Sequence, residues 1–289
     1  MMTIIGIAFS VAVLMVGMFF SDAIYRMVQV QFGFAQREDL AVIFVEPTSY
    51  RAYYELLNLE GVEYGDPFRF VPVDLKKDHR SFRTAIQGIE PGSELVRLID
   101  TSLQPVPLPR EGLVLTRYLA DVLGVQAGEM ITVKVLRGRR PVREVPLTAL
   151  VSEYIGVSAY MDRSALNRLM GEGDLISGVY LATDEAHLED IYLKLEEIPR
   201  VAGSVNVDNS IESFFATMGN QLLTWSIIMT MLAGSIAIGV VYNSARIALA
   251  ERSRELASLR VLGFRRAEVS YILLGEIAVL TLAAIPVGF

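Results

Sequence analysis

The chain has 289 residues, of which 52% are hydrophobic and 20% charged, and its mean hydropathy is +0.41. It carries 26 basic and 33 acidic side chains, which gives a net charge of −7. The high hydropathy excludes a purely soluble protein, and the amount of charge excludes a polytopic bundle with short loops. The sequence contains no cysteine, so disulfides and thiolate chemistry are also excluded.

The excess hydrophobicity lies in three apolar runs, each long enough to cross a hydrocarbon core, which takes about 20 helical residues. Residues 1–21 and 213–245 carry no charged side chain, and the third run carries one, Glu276. The sequence therefore predicts three transmembrane helices: 1–36 with an external extension, 214–244, and 269–289. The chain stops inside the third run, and we expect that span to be truncated and the chain to be a fragment or one module of a longer protein.

The first run could instead be a cleaved signal peptide, but it has no basic residue before its apolar stretch, which is also longer than a signal core.

Small residues four apart allow helices to approach closely, although small residues are common in membrane helices in any case. The pairs with this spacing are Gly6/Ser10, Ala8/Ala12, Ala233/Ala237 and Ser235/Gly239.

The charges predict the topology. Residues 37–213 hold 19 Lys and Arg against 28 Asp and Glu, a balance of −9, whereas the short segment 245–268 holds six arginines and three glutamates. The positive-inside rule places the arginine-rich segment in the cytoplasm and the acidic region on the other side of the membrane. An acidic domain also argues against nucleic acid as a partner.

A strand–helix–strand pattern opens the acidic region. Residues 41–45 and 68–73 have the composition of short strands, and Gly61 lies between them after a helical stretch. We expect Thr48 to cap that helix and Leu57 to end it.

A second such pattern closes the region. Strands are predicted at 176–182 and 203–207, joined by a helix that Asp184 caps and that continues through Glu197. Two strand–helix–strand units separated by an insertion are typical of a split ferredoxin-like fold.

The insertion, about 83–171, is rich in Gly and Pro and is predicted to be a β-rich subdomain. A hairpin turn is expected at Gly138–Arg140, and short helices are expected after Thr116 and after Asp162. The predicted strands are 112–115, 130–136 and 142–151. The resulting fold class is a membrane protein with α-helical spans and an α+β extracytoplasmic domain.

No motif for catalysis or metal binding is present. There is no phosphate-binding glycine loop and no G-x-S-x-G, and the two histidines, His79 and His187, lie far apart without carboxylates at metal-ligand spacing. Both histidines, and the charged run 76–80, are expected to be solvated surface.

The most informative segment is cytoplasmic. Residues 245–262 contain no Gly or Pro and form an apolar stripe at helical spacing through Leu249, Leu256, Leu259 and Leu262. The pattern fits a helix lying in the lipid interface, with arginines toward anionic headgroups, and it also fits a helix that binds a cytoplasmic protein. Composition alone does not decide between the lipid interface and a protein partner.

Residues 251–264, ERSRELASLRVLGF, resemble the signature segment of FtsX/MacB-type ABC transporter permeases, in which R-x-R-E-[IL]-x-x-L-R-x-[LI]-G forms the coupling helix on the ATPase. The resemblance implies that eight residues contact the ATPase. They are Arg252, Arg254, Glu255, Leu256, Leu259, Arg260, Leu262 and Gly263.

The resemblance extends to the rest of the chain, where the sequence match is weaker. The stretch from 112–116 to 124–129 is similar to the strand, helix and turn of the family's extracytoplasmic porter-like core. A family core has four spans, so this chain departs from the pattern by its truncated third span and missing fourth. Glu276 matches a glutamate often found early in the family's third helix; it is either a functional intramembrane carboxylate or one solvated near the interface.

The resemblance implies a permease subunit of the bacterial cytoplasmic membrane, multi-pass and not itself an enzyme, that works by mechanotransmission. It implies that ATP and Mg are bound by a partner ATPase and that this chain binds no cofactor. The implied partners are that ATPase, a second permease copy or homologous half, membrane lipid, and a periplasmic adaptor or lipoprotein. The resemblance also implies that the subunit exports or extracts a cargo, which is a lipid, lipoprotein, peptide or drug. The alternatives are a signalling module that activates an envelope enzyme such as a cell-wall hydrolase, and a membrane-anchored enzyme.

Overall fold

The computed structural model describes residues 2–153 and 156–251, together with 253, 258, 261, 271, 275, 278–279 and 281–286. These residues fall into two compact units. The first, the helical unit, is Met1–Tyr25 with Phe214–Phe289, and the second, the α/β unit, is Arg26–Ser213.

Nine strands and six α-helices follow one another along the described chain. The helices are α1 Met2–Val30, α2 Arg51–Leu57, α3 Arg117–Leu123, α4 Arg163–Met170, α5 Leu188–Glu196 and α6 Val207–Glu251, with a π-helical turn at Gln31–Ala35 and a 3-10 turn at Glu185–His187. The strands are β1 Leu40–Ser49, β2 Val62–Lys77, β3 Arg80–Ile89, β4 Leu113–Thr116, β5 Met130–Val135, β6 Val142–Val151, β7 Ala159–Asp162, β8 Leu175–Thr183 and β9 Val201–Asn206.

Four strands form an antiparallel sheet in the order β2–β8–β1–β9. With α2 between β1 and β2, and α5 between β8 and β9, this is the order and connectivity of a ferredoxin-like fold. The split ferredoxin-like prediction is therefore found in the structure.

The two helices of this fold share an apolar core with the sheet. On β1 the alternate residues Leu40, Val42 and Phe44 are buried in it, as period-2 side-chain alternation along a strand requires. Leu56 of α2 and Leu195 of α5 pack into the same core. One face of the ferredoxin-like sheet is therefore covered by α2 and α5.

The insertion forms a closed six-stranded barrel. β2 is long enough to leave the ferredoxin-like sheet and continue into the barrel, where the strands follow the order β2–β5–β6–β4–β7–β3 and β3 pairs again with β2. The pairings β3–β7 and β4–β6 are parallel, and the others in the barrel are antiparallel. A dense apolar core fills it, including Val73, Leu115 and Val133, each with no exposed surface. The predicted β-rich insertion is therefore a barrel that shares a strand with the sheet.

Several local predictions are confirmed. The hairpin turn at Gly138–Arg140 joins β5 to β6, and both of its end residues have positive φ. α3 begins after Thr116, and Asp162 caps α4 by accepting a hydrogen bond from the amide of Ala165 at 2.8 Å. Asp184 accepts one from Ala186 at 3.0 Å and so caps the 3-10 turn that leads into α5.

The predicted cap at Thr48 is wrong. β1 bulges after Ile43 and regains its pairing with β8 at Thr48 and Ser49, so the strand continues past the expected helix start. α2 begins only at Arg51, and its N-cap residue, Tyr50, makes no capping hydrogen bond with its side chain.

Two helices are long and apolar enough to cross a membrane by length and composition. They comprise residues 4–35 and 207–251, and the most apolar stretches of 18 residues in them have mean hydropathies of 2.4 and 1.8. Both carry many exposed large apolar side chains, such as Phe19 and Met231, which is expected of surfaces that face lipid. The predicted second span, 214–244, lies within the second of these helices, and the predicted first helix, 1–36, overlaps the first. Most residues of the predicted third span lie outside the described part of the chain.

Candidate functional site

The eight predicted ATPase-coupling residues and Glu276 lie outside the described residues. α6 leads to them: it is described as an unbroken helix to Glu251, and Ser253, Ser258 and Val261 beyond it are also helical. The coupling role of these residues therefore stays a prediction.

In the helical unit, α1 and α6 approach closely at small residues. A Cβ atom added at Gly6 would lie 2.7 Å from a methyl carbon of Val240, and one added at Gly17 would lie 3.1 Å from the Cβ of Met229. Ala8 on α1 and Ala233 on α6 are buried, whereas a Cβ atom at Gly239 would have no neighbour within 4 Å. The small-residue spacing therefore allows close packing at some of the predicted positions but not at Gly239.

Aromatic residues extend this helix pair toward Tyr25. The rings of Phe20 and Trp225 lie 6.2 Å apart, and those of Tyr25 and Phe215 stack at 5.2 Å. A cavity of about 420 Å³ lies beside them, lined by Phe20, Trp225 and four further residues, none of them charged. Aromatic rings at this position suit the boundary between hydrocarbon and water.

In the α/β unit, buried arginines tie the barrel to the ferredoxin-like sheet. Arg163, at the start of α4, is 4% exposed; it donates to Glu90 at 2.8 Å and to Asp174, and its guanidinium lies 4.9 Å from the ring centroid of Tyr50. A buried arginine held by two carboxylates and an aromatic ring has a structural role. Its guanidinium stays protonated and is occupied by these partners, so it offers neither a base nor a nucleophile for catalysis.

Arg69 on β2 makes the second such connection. It is also 4% exposed and donates to Glu172 at 2.7 Å and to the hydroxyl of Ser177 on β8 at 2.9 Å. Sequence reasoning missed both arginines, because exposed and buried arginines look alike in a chain with this much charge.

Glu38 is the most perturbed carboxyl group near the start of the sheet. It is 4% exposed, and one of its carboxylate oxygens, Oε2, has no hydrogen-bond partner among the described residues. Its pKa is raised to about 7, chiefly by burial; backbone hydrogen bonds oppose the shift, and the nearby charges of Asp39 and Asp66 add to it.

Glu38 is expected to make the stability of the α/β unit depend on pH. Because its pKa is raised on folding from 4.5 to about 7, the folded state binds its proton more tightly, and stability falls as pH rises through that window. The penalty levels off above the folded pKa at about 3 kcal/mol or less. Glu38→Gln removes it, so the variant should gain stability over the parent chain between pH 5 and pH 8 in thermal unfolding monitored by circular dichroism. A constant difference between the two proteins across this range would contradict the assignment.

The described residues contain no cluster of three or more His, Asp and Glu side chains that could hold a metal ion. His79 is exposed in the turn between β2 and β3, and His187 is partly exposed beside Asp184, with 3.3 Å between the ring Nδ1 and a carboxylate oxygen. Both histidines therefore lie at the surface, as predicted.

Comparison with known proteins adds to this geometry. Residues 227–289 match the family described as FtsX-like permease C-terminal. These residues are similar to the C-terminal domain of FtsX-like permeases. The matched range includes the second half of α6 and all eight predicted coupling residues, so the predicted resemblance to this family is confirmed there. The match supports a permease role in membrane transport.

No curated protein matches the chain. Among solved structures, the periplasmic region of MacB from Actinobacillus actinomycetemcomitans has 12% identity and a TM-score of 0.43, and the match covers 62% of this chain and 94% of that one. The extracellular domain of the noncanonic ABC-type transporter YknZ, from Gram-positive bacteria, has 11% identity and a TM-score of 0.38, covering 53% of this chain and 88% of that one.

Proposed function

We propose that this chain is the permease subunit of an ABC transporter and couples ATP hydrolysis on a separate ATPase to movement of its α/β unit outside the membrane. The observation that carries the proposal is the match of residues 227–289 to the FtsX-like permease C-terminal family. In this proposal the eight residues that resemble the coupling helix bind the ATPase, which holds Mg and ATP, and the chain itself binds no cofactor.

The length of α6 supports transmission of force. Its 45 residues span about 68 Å at 1.5 Å per residue, more than twice the thickness of a hydrocarbon core of about 30 Å. It contains no proline, one of the causes of a sharp kink, and it continues as one α-helix through its Gly234–Ser235 pair. A displacement of its cytoplasmic end is therefore carried along one continuous helix.

The first residues of α6 are fixed to the sheet of the α/β unit. The side chain of Asn206, at the end of β9, accepts a hydrogen bond from the amide of Asn209 at 3.0 Å, and its carbonyl accepts one from the hydroxyl of Ser210 at 2.8 Å. The amide of Val207 also donates to the carbonyl of Asp39 at 3.1 Å. The start of the helix consequently moves with β1 and β9.

The proposed location is the bacterial cytoplasmic membrane, with residues 37–213 outside it and 245–268 in the cytoplasm. The proposed cargo is a lipid, lipoprotein, peptide or drug, and a second permease copy, membrane lipid and a periplasmic adaptor or lipoprotein complete the assembly. Glu276 is proposed as an intramembrane carboxylate of the third span.

The experiment is to purify the chain from its native membrane with its ATPase, reconstitute the complex in lipid nanodiscs and compare its ATPase rate with that of the ATPase alone. We expect hydrolysis to be faster in the complex. Equal rates, or purification of the chain without any ATPase, would contradict the proposal. Capture of an envelope hydrolase in place of a cargo would show that the movement serves signalling.

A further inference from the structure

A cavity of about 340 Å³, the junction cavity, lies where β2 passes from the ferredoxin-like sheet into the barrel. β2 pairs with β8 up to Phe68 and with β5 only from Val73, so residues 69–72 lie between the two partner strands. The bulge in β1 also separates its pairing with β8 at Ile43 from that at Thr48. The cavity is therefore found where the pairing of β1, β2 and β8 is interrupted. It is lined by residues 43–47, 68–72 and 137–138, with Met170, Glu172 and Ser177.

Most of this lining is apolar. Nine of the fifteen residues have apolar side chains, and three of these are exposed: Ile43 at 41%, Val45 at 55% and Phe70 at 42%. Apolar side chains around a cavity of about 300 Å³ or more are typical of sites for small molecules. At about 30 Å³ for a group of the size of a water molecule, the cavity has room for on the order of ten non-hydrogen atoms. It can therefore hold one short apolar chain, but not a whole phospholipid.

A buried guanidinium forms part of the wall. The terminal nitrogens of Arg69 donate to Glu172 at 2.7 Å and to Ser177 at 2.9 Å, but its Nε–H has no acceptor among the described residues. Buried donors are nearly always hydrogen-bonded in folded proteins, so this one calls for an explanation. A ligand that brings a negatively charged oxygen to the cavity supplies the missing complement to Arg69.

Further positive charge lies at the exposed side of the cavity. Arg137, which lines it, and the next two arginines, Arg139 and Arg140, are exposed in the turn between β5 and β6. None of the three makes an ion pair in the part of the chain that the structure describes. Of the two lining carboxylates, Glu172 is paired with Arg69, which leaves Glu46. Residues 37–213 as a whole carry a balance of −9, so the turn is a local reversal of charge.

We propose that the junction cavity binds an amphipathic anion, a short alkyl chain that carries a carboxylate or a phosphate. The chain packs against Ile43, Val45 and Phe70, and the anionic group lies against Arg137, because arginine matches the geometry of both carboxylate and phosphate. A bare phosphate leaves the apolar lining without a partner, and an uncharged hydrocarbon leaves the arginines without one. The site belongs to the α/β unit and needs no ATPase, so the inference goes beyond the proposed function.

Photolabelling of the full chain in nanodiscs of a zwitterionic lipid tests the site. The probe is decanoate with a diazirine at the end of its chain, and labelled positions are located by mass spectrometry. We expect labelling within residues 43–47 and 68–72, reduced at least tenfold by excess decanoate, decyl phosphate or both. The more effective of the two competitors identifies the preferred anionic group. Inorganic phosphate and decyltrimethylammonium, which supply only the anion or only the chain, should not compete.

A charge reversal should weaken labelling without affecting the fold. Arg137→Glu is expected to reduce labelling of the two segments about tenfold, the effect of losing one charge-assisted hydrogen bond. Arg137→Lys keeps the charge and should lose less. Arg51→Glu, exposed at the start of α2, makes the same charge change elsewhere in the α/β unit and should leave labelling unaltered.

A second pair of variants tests the apolar part. Val45→Asp places a carboxylate in the lining and should reduce labelling severalfold, whereas Val205→Asp makes the same change at an exposed position of β9 and should not. Circular dichroism confirms that each variant is folded.

Three results would overturn the site: equal labelling of the two segments by a decanol probe with the same diazirine, competition by inorganic phosphate, or unchanged labelling in both Arg137→Glu and Val45→Asp. Labelling is measured on the chain without its ATPase. Loss of ATPase stimulation therefore rejects the proposed function alone, and absence of labelling rejects the binding site alone.

Discussion

The double substitution Glu255→Arg with Leu259→Asp is expected to reduce ATPase stimulation to the rate of the ATPase alone. The first change reverses a charge within the segment that resembles the coupling helix, and the second places a carboxylate in its apolar stripe. Burying an unpaired charge at an interface costs several kcal/mol, and about 4 kcal/mol corresponds to a thousandfold loss of affinity. The measurement is the ATPase rate of the reconstituted complex across a range of ATPase concentrations.

The chain offers a matched control for this variant. Glu189 and Leu193 on α5 have the same four-residue spacing as Glu255 and Leu259, and both are exposed. Glu189→Arg with Leu193→Asp therefore makes the same chemical changes on the α/β unit and should leave stimulation unaltered. Normal stimulation in the first variant, or equal loss in both, would contradict a specific role of the coupling segment.

Gly178→Ala is expected to destabilise the α/β unit by about 3 kcal/mol. Gly178 lies on β8 at the centre of the ferredoxin-like sheet, and a Cβ atom there would come 2.2 Å from the carbonyl oxygen of Val42 and 2.4 Å from the Phe68 ring. A backbone oxygen cannot rotate away as a side chain can, so the strands must separate. For a unit of this size the change corresponds to a fall in Tm of about 6–12 °C.

The control is another strand glycine of the same sheet. A Cβ atom at Gly203 on β9 would meet open space, so Gly203→Ala should leave Tm nearly unchanged. Thermal unfolding of the full chain in detergent, followed by circular dichroism, measures both variants. Equal Tm values for the two variants would contradict the tight packing around Gly178.

The ferredoxin-like half can be predicted because its signals are local. Each strand–helix–strand unit lies within a short stretch of sequence, with Asp184 and Gly61 marking helix ends. The predicted cap at Thr48 is wrong because the bulge in β1 depends on its pairing with β8, more than a hundred residues away.

The closure of the barrel cannot be predicted in this way. β3 begins at Arg80, in a charged run typical of a solvated loop, and β7 has only four residues. Closure depends on pairings such as that of Ile86 with Ala159, between strands far apart in sequence. The extra length of β2, which joins the barrel to the sheet, likewise depends on its pairing with β5 in the barrel and with β8 in the ferredoxin-like sheet.

The candidate functional features divide in the same way. The coupling segment is identified by its sequence motif, and the family match includes it. The buried state of Glu38 and the junction cavity depend on tertiary structure: the first on which residues the fold packs around that carboxyl group, the second on where β2 leaves one partner strand and meets the next. Neither leaves a pattern in the neighbouring residues.

The central claim is that ATP binding by the partner ATPase, which is proposed to contact the segment after α6, moves the α/β unit. Spin labels at Glu144→Cys and Asn243→Cys, both exposed, measure this by pulsed electron paramagnetic resonance in the reconstituted complex, with the labelled chain diluted in unlabelled chain. We predict that a non-hydrolysable ATP analogue shifts the distance distribution and that the shift is lost in the Glu255→Arg, Leu259→Asp variant. An unchanged distribution in a complex whose ATPase is stimulated would contradict the claim.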